Sequence, residues 1–453
     1  MDKTFQKRNF ITIFTKGDWI SKLSYVIPGA GNIFRGQVIK GLLFLLLGIC
    51  YLIFMVQKGA GFLRDLVTLG DTLQGMNFNE ALGIYEMSEG DNSMLILLFG
   101  VVAVVITVSY LAIWLFSIYS GEAARANAAA GKKVRNFVED VKSLANENIR
   151  FLLLAVPVTG LLVFTVMPLI YMILMAFTNY DQDHQPPGNL FDWVGVTNFF
   201  TLLSAGDRLS ATFWPVLGWT LIWGVAATFS CYFGGMILAM IINSKGIRFK
   251  KFWRTIFVFT MAIPSFISLR VVATMLGERG IINVLLQQWG FTESALPFLS
   301  NVTWARVSVI LVNFWIGVPV TMLMVSGILM NIPGELYESA KLDGAGPVTT
   351  FRKITFPYMW FVTTPYLIAN LISNFNNFNP IFFLTGGEPH TLTYYKGAGK
   401  TDLLVTWLYK LTKDSNDYNL AATIGIIIFL ISAVFTLISF SRSGSMKNEE
   451  GFQ

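Results

Sequence analysis

Residues 94–119 read MLILLFGVVAVVITVSYLAIWLFSIY, a run without one charged side chain. Wound as a helix at 1.5 Å per residue it reaches about 39 Å, more than the roughly 30 Å of a bilayer's hydrocarbon core. Backbone polar groups inside hydrocarbon must be satisfied within the segment, so a run of this length is predicted to be a transmembrane helix. Seven further apolar runs lie at roughly 38–56, 151–177, 213–243, 255–276, 305–330, 359–385 and 419–440. The predicted fold class is an all-α integral membrane protein with eight transmembrane helices.

Composition agrees. Of 453 residues 54% are apolar and 13% charged, with a mean hydropathy of +0.58. Soluble domains carry about 25% charged residues. Length alone would predict about three globular domains, and the hydropathy overrides that. The net charge of +6 is read as topology and not as a nucleic-acid footprint, because membrane proteins collect Lys and Arg in cytoplasmic loops. Sorted by alternate loops, 23 basic residues fall on one side and eight on the other. The richer side holds Lys3, Lys7, Arg8, Lys16, Lys22, Arg35 and Lys40, then the loops after the second, fourth and sixth runs, and the tail with Arg442 and Lys447. Both termini are therefore expected in the cytoplasm. Four lysines after the seventh run (Lys396, Lys400, Lys410, Lys413) stand on the wrong side, beside Glu388, Asp402, Asp414 and Asp417.

Several functions are disfavoured. Cys50 and Cys231 both sit within apolar runs and form neither a metal-ligand set nor a disulfide framework. The two histidines, His184 and His390, have no clustered ligands. No cleavable signal is expected, since the first forty residues are charged and broken by Gly and Pro. Gly399-Lys400-Thr401 resembles the end of a phosphate-binding loop, but Tyr394 stands where that loop needs its first Gly. No metal site and no ATP site are therefore expected. Ion-coupled carriers usually place carboxylates near the midplane, and none of the eight runs contains an interior Asp or Glu. Arg270 is the basic residue well inside a run, either snorkelling to an interface or facing a wet cavity.

The loop after the sixth run carries the most specific signal. Pro333 suits a first helical turn, Glu335 and Glu338 follow near its positive end, and Gly344 offers a left-handed stop. Gly346-Pro347 opens a second short helix, expected to end at Pro357. Such an element could be a plain connector. Its residues, Glu338-Ser339-Ala340, then Gly344, then Ile354-Thr355-Phe356-Pro357, closely resemble the EAA motif of ABC-importer permeases. Ser339 replaces the first Ala of that motif and Phe356 its Leu. Leu342-Asp343-Gly344-Ala345 and Phe351 look like the sugar-permease branch. The resemblance implies the type I ABC-importer permease fold, with this loop as a coupling helix in a cleft of a cytoplasmic ATPase. It implies Glu338, Ala340 and Gly344 as the joint.

Three other stretches are similar to the larger, eight-span maltose-type permeases: Ala262–Ser268, Asn313–Pro319, and Asn374–Asn379 followed by Gly386-Gly387-Glu388-Pro389. Asn370, Asn374 and Asn377 recur at i, i+4 and i+7 and so share a helix face, as do Asn313 and Gly317. Carboxamides both donate and accept hydrogen bonds to sugar hydroxyls, and aromatic rings stack on sugar faces. The same amides also serve as glue between membrane helices. The resemblance implies a sugar path lined by Ser265, Asn313, Trp315, Gly317, Asn370, Asn374 and Asn377. Asn370 departs from a familiar serine, and Met261 and Val320 from familiar tyrosines, so chain length or sugar identity is expected to differ from plain maltose.

The resemblance further implies partners: a second permease subunit, an ATPase dimer using ATP and magnesium, and an extracellular solute-binding lipoprotein. No cofactor is expected in this chain. The expected role is the non-enzymatic permease of an oligosaccharide importer, maltose or maltodextrin first, in a bacterial cell membrane. Another neutral sugar and, outside the class, a secondary transporter stay open. The loop at 178–212 is short where relatives from two-membrane cells carry a large external domain, which fits a single-membrane cell. Expected domains are residues 1–150 (a cytoplasmic segment and two spans), 151–441 (the permease core with its coupling loop at 331–358) and a cytoplasmic tail at 442–453.

Overall fold

The structure is a computed structural model that describes residues 9–79, 83–131, 137–146, 149–244 and 246–442. Lys3, Lys7, Arg8, Lys132, Lys133, Arg135, Lys245 and Lys447, counted above toward the basic face, lie outside the described residues, as does the tail beyond Arg442. The fold is mostly helical. Among the described residues six helices are long and apolar enough to cross a membrane: Val38–Thr68, Ser93–Ala129, Leu153–Met175, Arg208–Asn243, Val302–Met330 and Tyr418–Ser441. Lys250–Ala262 and Ser265–Gln288, bent by 88°, add a seventh if read as one broken span.

The expected count of eight is thus not met by length and apolarity. The run at 359–385 folds as two helices, Phe356–Phe375 and Phe378–Leu384. The polar Asn374-Phe375-Asn376-Asn377 stretch interrupts it, and its Thr, Pro and Asn residues dilute its hydropathy. Pro357 does not end the preceding helix as expected. Pro347–Thr350 runs through a π-turn at Phe351–Thr355 directly into Phe356–Phe375, and Pro357, which has no N–H to donate to the preceding turn, follows immediately after that π-turn.

The chain divides into two compact units, Met1–Gly195 and Val196–Gln453. The division follows the third apolar run, whereas the sequence reading placed a boundary at 150. In the first unit, short helices Phe10–Lys16 and Trp19–Val26 precede Val38–Thr68. A two-stranded antiparallel hairpin, Gly75–Asn79 with Ile84–Ser88, joins that helix to Ser93–Ala129. The sequence reading did not foresee this hairpin.

In the second unit the Arg208–Asn243 helix is the axis, and its inner face meets three successive buried layers. Phe213 and Val216 pack with Trp407, Leu411 and Ile424. Trp219, Trp223 and Ala227 pack with Leu269, Val309 and Ile381. Tyr232, Met236 and Ala239 pack with Met322, Val325 and Met359. Small residues let the backbones close: a Cβ on Gly235 would stand 2.8 Å from Met322 N, the means by which membrane helices gain packing without a hydrophobic driving force.

Candidate functional site

Two helix breaks in the second unit leave backbone polar groups inside an otherwise apolar bundle. At Ile263-Pro264 the chain turns and Ser265–Leu276 begins, so its first N–H groups have no partner within the helix. At Asn376-Asn377 the Phe356–Phe375 helix ends. Discontinuous helices of this kind build solute sites in transporters. Between the two breaks lies a cavity of about 250 Å³.

Its walls carry Ser265, Asn313, Gly317, Asn370, Asn374 and Asn377, six of the seven residues expected to meet sugar. The seventh, Trp315, is elsewhere. It follows Asn313 and precedes Gly317 by two positions, about 200° around the helix in each case. It is 49% exposed and lines a larger groove of about 520 Å³ with Phe314, Ile237 and Phe257. That groove is almost wholly apolar. Trp315 does not share the cavity wall with the other six residues.

The aromatic ring on the cavity wall is Tyr366, which the sequence reading passed over. A signal existed: Tyr366 stands four residues before Asn370, on the face already marked by the asparagines. Thr321, Ser373 and Asn379 also line the cavity unforeseen, with Thr321 at i+4 from Gly317 and Ser373 at i+3 from Asn370. Of the three departures noted above, Asn370 and Val320 line the wall and Met261 does not.

Hydrogen bonds sort the amides into two kinds. Asn370 Nδ2 donates to Tyr366 Oη at 3.2 Å, Asn374 Nδ2 to Asn370 Oδ1 at 2.9 Å, and Asn377 Nδ2 to Asn374 Oδ1 at 3.2 Å. This makes a ladder along one helix face. Asn374 Nδ2 also donates to Thr228 Oγ1 at 2.9 Å across to the Arg208–Asn243 helix, so both donors of the buried Asn374 amide are used and it acts as the ladder's anchor. By contrast, Asn313 Nδ2 meets only the weak acceptor Cys231 Sγ at 3.6 Å. Among the described residues no side chain donates to Asn313 Oδ1 or to Asn377 Oδ1, so these two amides keep capacity for a ligand. None of the residues lining the cavity is charged. Arg270 is exposed and does not line it.

The loop with the EAA-like residues forms the helix Gly334–Leu342. Gly344 adopts φ +71°, a conformation in which a side chain would strain, and the Ala345 N–H returns to Ala340 O at 2.8 Å. Tyr337 Oη lies 3.1 Å from Thr355 Oγ1 and ties the helix to the next element. Ala340 is buried beneath it, while Glu338, Leu336 and Leu342 face outward. Small inward and acidic-apolar outward residues on a short, stopped helix give a rigid exposed knob.

Residues 231–442 match the family model of the binding-protein-dependent transport system inner membrane component. The chain is 34% identical over 433 residues to the maltodextrin transport system permease protein MdxF of Bacillus subtilis, covering 94% of this chain and 95% of that protein. It is 32% identical to the galactooligosaccharides transport system permease protein GanP of the same organism, covering 95% and 99%. With the maltose/maltodextrin transport system permease protein MalF of Escherichia coli the match is 33% over 60% of this chain and 53% of that protein. A solved bacterial ABC transporter involved in the import of the acidic polysaccharide alginate shares the fold over 67% of this chain and 97% of its own, with a TM-score of 0.53 at 24% identity. The chain is a multi-pass membrane permease. It belongs to the binding-protein-dependent transport system inner membrane component family.

Proposed function

We propose that this chain is one of two permease subunits of an ATP-driven importer of neutral oligosaccharides, maltodextrins first, in a bacterial cell membrane. The observation that carries the substrate class is the uncharged, amide-lined cavity between two broken helices. Asn313 and Asn377 offer carbonyls to sugar hydroxyls, the Ser265 helix start offers N–H donors, and Tyr366 offers a ring face. The names of the similar permeases, two of maltodextrin or maltose and one of galactooligosaccharides, support the same class. An acidic polysaccharide such as that of the alginate importer would call for cations, and the cavity lining has none.

At about 250 Å³ the cavity is below the roughly 300–1,000 Å³ usual for small-molecule pockets, so passage of an oligosaccharide requires its walls to part. In the proposed cycle an external solute-binding protein delivers sugar, and an ATPase dimer closing on ATP and magnesium pushes Gly334–Leu342 through Glu338, Ala340 and Gly344. In the proposed topology Lys250–Gln288 and Phe356–Leu384 each count as one broken span, and both termini and the Gly334–Leu342 helix lie on the cytoplasmic, ATPase side. A structure of the alginate system solved with its pentasaccharide-bound periplasmic protein supports the binding-protein partner.

The test is co-expression and copurification with the partner subunits, followed by ATPase assays across a panel of neutral and acidic sugars with the binding protein present. Stimulation by maltodextrins supports the proposal. Stimulation by galactooligosaccharides alone shifts the sugar within the class, and sugar uptake in ATP-free vesicles assigns a secondary transporter instead.

A further inference from the structure

The N-terminal helices of the first unit are inside out for an element in water. Ser21, Ser24, Asn32 and Gln37 are buried. Ile11 is 72%, Trp19 64% and Val26 79% exposed, and Phe14 and Phe34 also face outward. Polar residues turned inward and large apolar ones turned outward mark an element whose solvent is hydrocarbon.

Its contacts give it a depth. Gly29, at φ +84°, leaves no room for a Cβ against the Gly41 carbonyl, and a Cβ on Gly48 would stand 3.1 Å from Pro28 Cγ. Gly48 is ten residues into the Val38–Thr68 helix, about 15 Å along it. On the neighbouring Ser93–Ala129 helix, Trp114 Nε1 donates to Tyr25 O at 3.1 Å, and the rings of Phe10 and Tyr25 pack around Trp114. Both contact points lie within the apolar runs read from the sequence, at 38–56 and 94–119.

The polar rim sits further along the same helix. Arg35 Nη1 donates to Gly121 O at 2.8 Å, Asn32 Nδ2 to Ser120 Oγ at 2.8 Å, and the Gly29 N–H to Ser117 Oγ at 2.7 Å. From Trp114 to Gly121 is about 10 Å, the depth to which interfacial helices sink their apolar faces. The rim's charge is paired: Asp18 and Arg35 meet at 2.6 Å, with the Arg35 side chain 7% exposed. Trp19 and Phe34 pack at 5.5 Å on the outside near this pair, as aromatic side chains do at the headgroup level. Lys22 shares the outward face with Trp19 and Val26 and is long enough to reach the headgroups.

We infer that residues 10–36 form a half-inserted helical hairpin, seated in the leaflet on the N-terminal side with its Tyr25–Pro28 tip among the acyl chains. Its partner is lipid, and the segment is not a water-facing tail. Covalent continuity supports this, since the segment leads through Gln37 directly into the Val38 helix.

The test places single cysteines at Ile11, Val26 and the exposed loop residue Ser294 of the full chain with Cys50→Ala and Cys231→Ala, labels them with an environment-sensitive fluorophore, and reconstitutes the chain with its copurifying subunits. The vesicles contain phosphatidylcholine and phosphatidylglycerol, with or without bromine on the acyl chains. Bromolipid should quench the labels at positions 11 and 26 and leave the one at 294 unchanged. A membrane-impermeant maleimide should modify the unlabelled cysteines at 11 and 26 about tenfold more slowly than the one at 294. Equal reaction rates with no quenching overturn the inference. So does protection at 11 and 26 without bromolipid quenching, which would assign the face to a protein partner.

Discussion

Replacing Asn374 and Asn377 separately should split a structural amide from a solute-binding one. Asn374→Ala removes two donated bonds, to Thr228 and Asn370, and one accepted from Asn377. Side-chain hydrogen bonds between membrane helices average about 0.6 kcal/mol, so the three together are worth about 2 kcal/mol. Asn377→Ala removes only the last of these, but deletes the carbonyl left open to the cavity. A neutral hydrogen bond to a sugar hydroxyl is worth roughly 1 ± 0.5 kcal/mol, and 1.4 kcal/mol is tenfold in affinity. Asn377→Ala should therefore raise the maltodextrin concentration for half-maximal uptake about threefold to tenfold, with thermal unfolding nearly unchanged. Asn374→Ala should lower the unfolding temperature clearly. The assays are radiolabelled maltodextrin uptake in proteoliposomes holding the whole complex, and thermal unfolding of the purified complex. If Asn377→Ala leaves uptake within twofold of the parent, or both variants lose stability equally, the division of the ladder is wrong.

Tyr366→Phe should keep most uptake and Tyr366→Ala lose about tenfold, if the ring face and not the hydroxyl contacts sugar; a dose series over maltodextrin lengths distinguishes them. Trp315→Ala should leave half-maximal uptake within about twofold, since its groove is apolar and apart from the cavity. Glu338→Lys should cut copurification of the ATPase at least about tenfold, as breaking a paired interfacial charge costs roughly 2–5 kcal/mol; immunoblots of the purified permease measure it. Lys410→Met strands the buried Asp402, which it meets at 2.7 Å, and should destabilise the fold by about 3–5 kcal/mol, read as a lower unfolding temperature.

The four lysines on the wrong side of the charge map show where sequence reasoning stops. In the structure Lys410 pairs with Asp402 and Lys396 with Asp417, both at 2.7 Å, and Lys400 lies 3.7 Å from the ring centre of Tyr394. Burial pulls the Lys396 ammonium down, but hydrogen bonding and charge from Asp417 outweigh this and hold it above its ordinary value. The stability from that pair is complete below pH 10.5 and is lost as pH rises through the elevated folded value. The sequence shows these lysines and acids only as neighbours in a loop. Which lysine meets which carboxylate follows from how the loop folds back on the Leu404–Lys413 and Tyr418–Arg442 helices. The asparagine face was legible because helical periodicity fixes it locally. Its split into an anchor bonded across to another helix and open amides was not, because Thr228 lies 146 residues away.

By itself the sequence determined that the chain is a helical membrane protein, since hydropathy over a span-length window depends only on nearest neighbours and the bilayer admits few backbones. It also marked the loop at Glu338–Gly344 and the polar positions at Ser265, Asn313 and Asn370–Asn377. Tertiary structure decided the rest. It turned Trp315 away and brought Tyr366 in, broke two runs so that their ends face one cavity, and seated Pro28 on Gly48 and Tyr25 on Trp114. These outcomes depend on which helices approach closely enough to exclude a Cβ or share a hydrogen bond. That is a property of pairs distant in sequence, and the composition of any one segment does not contain it.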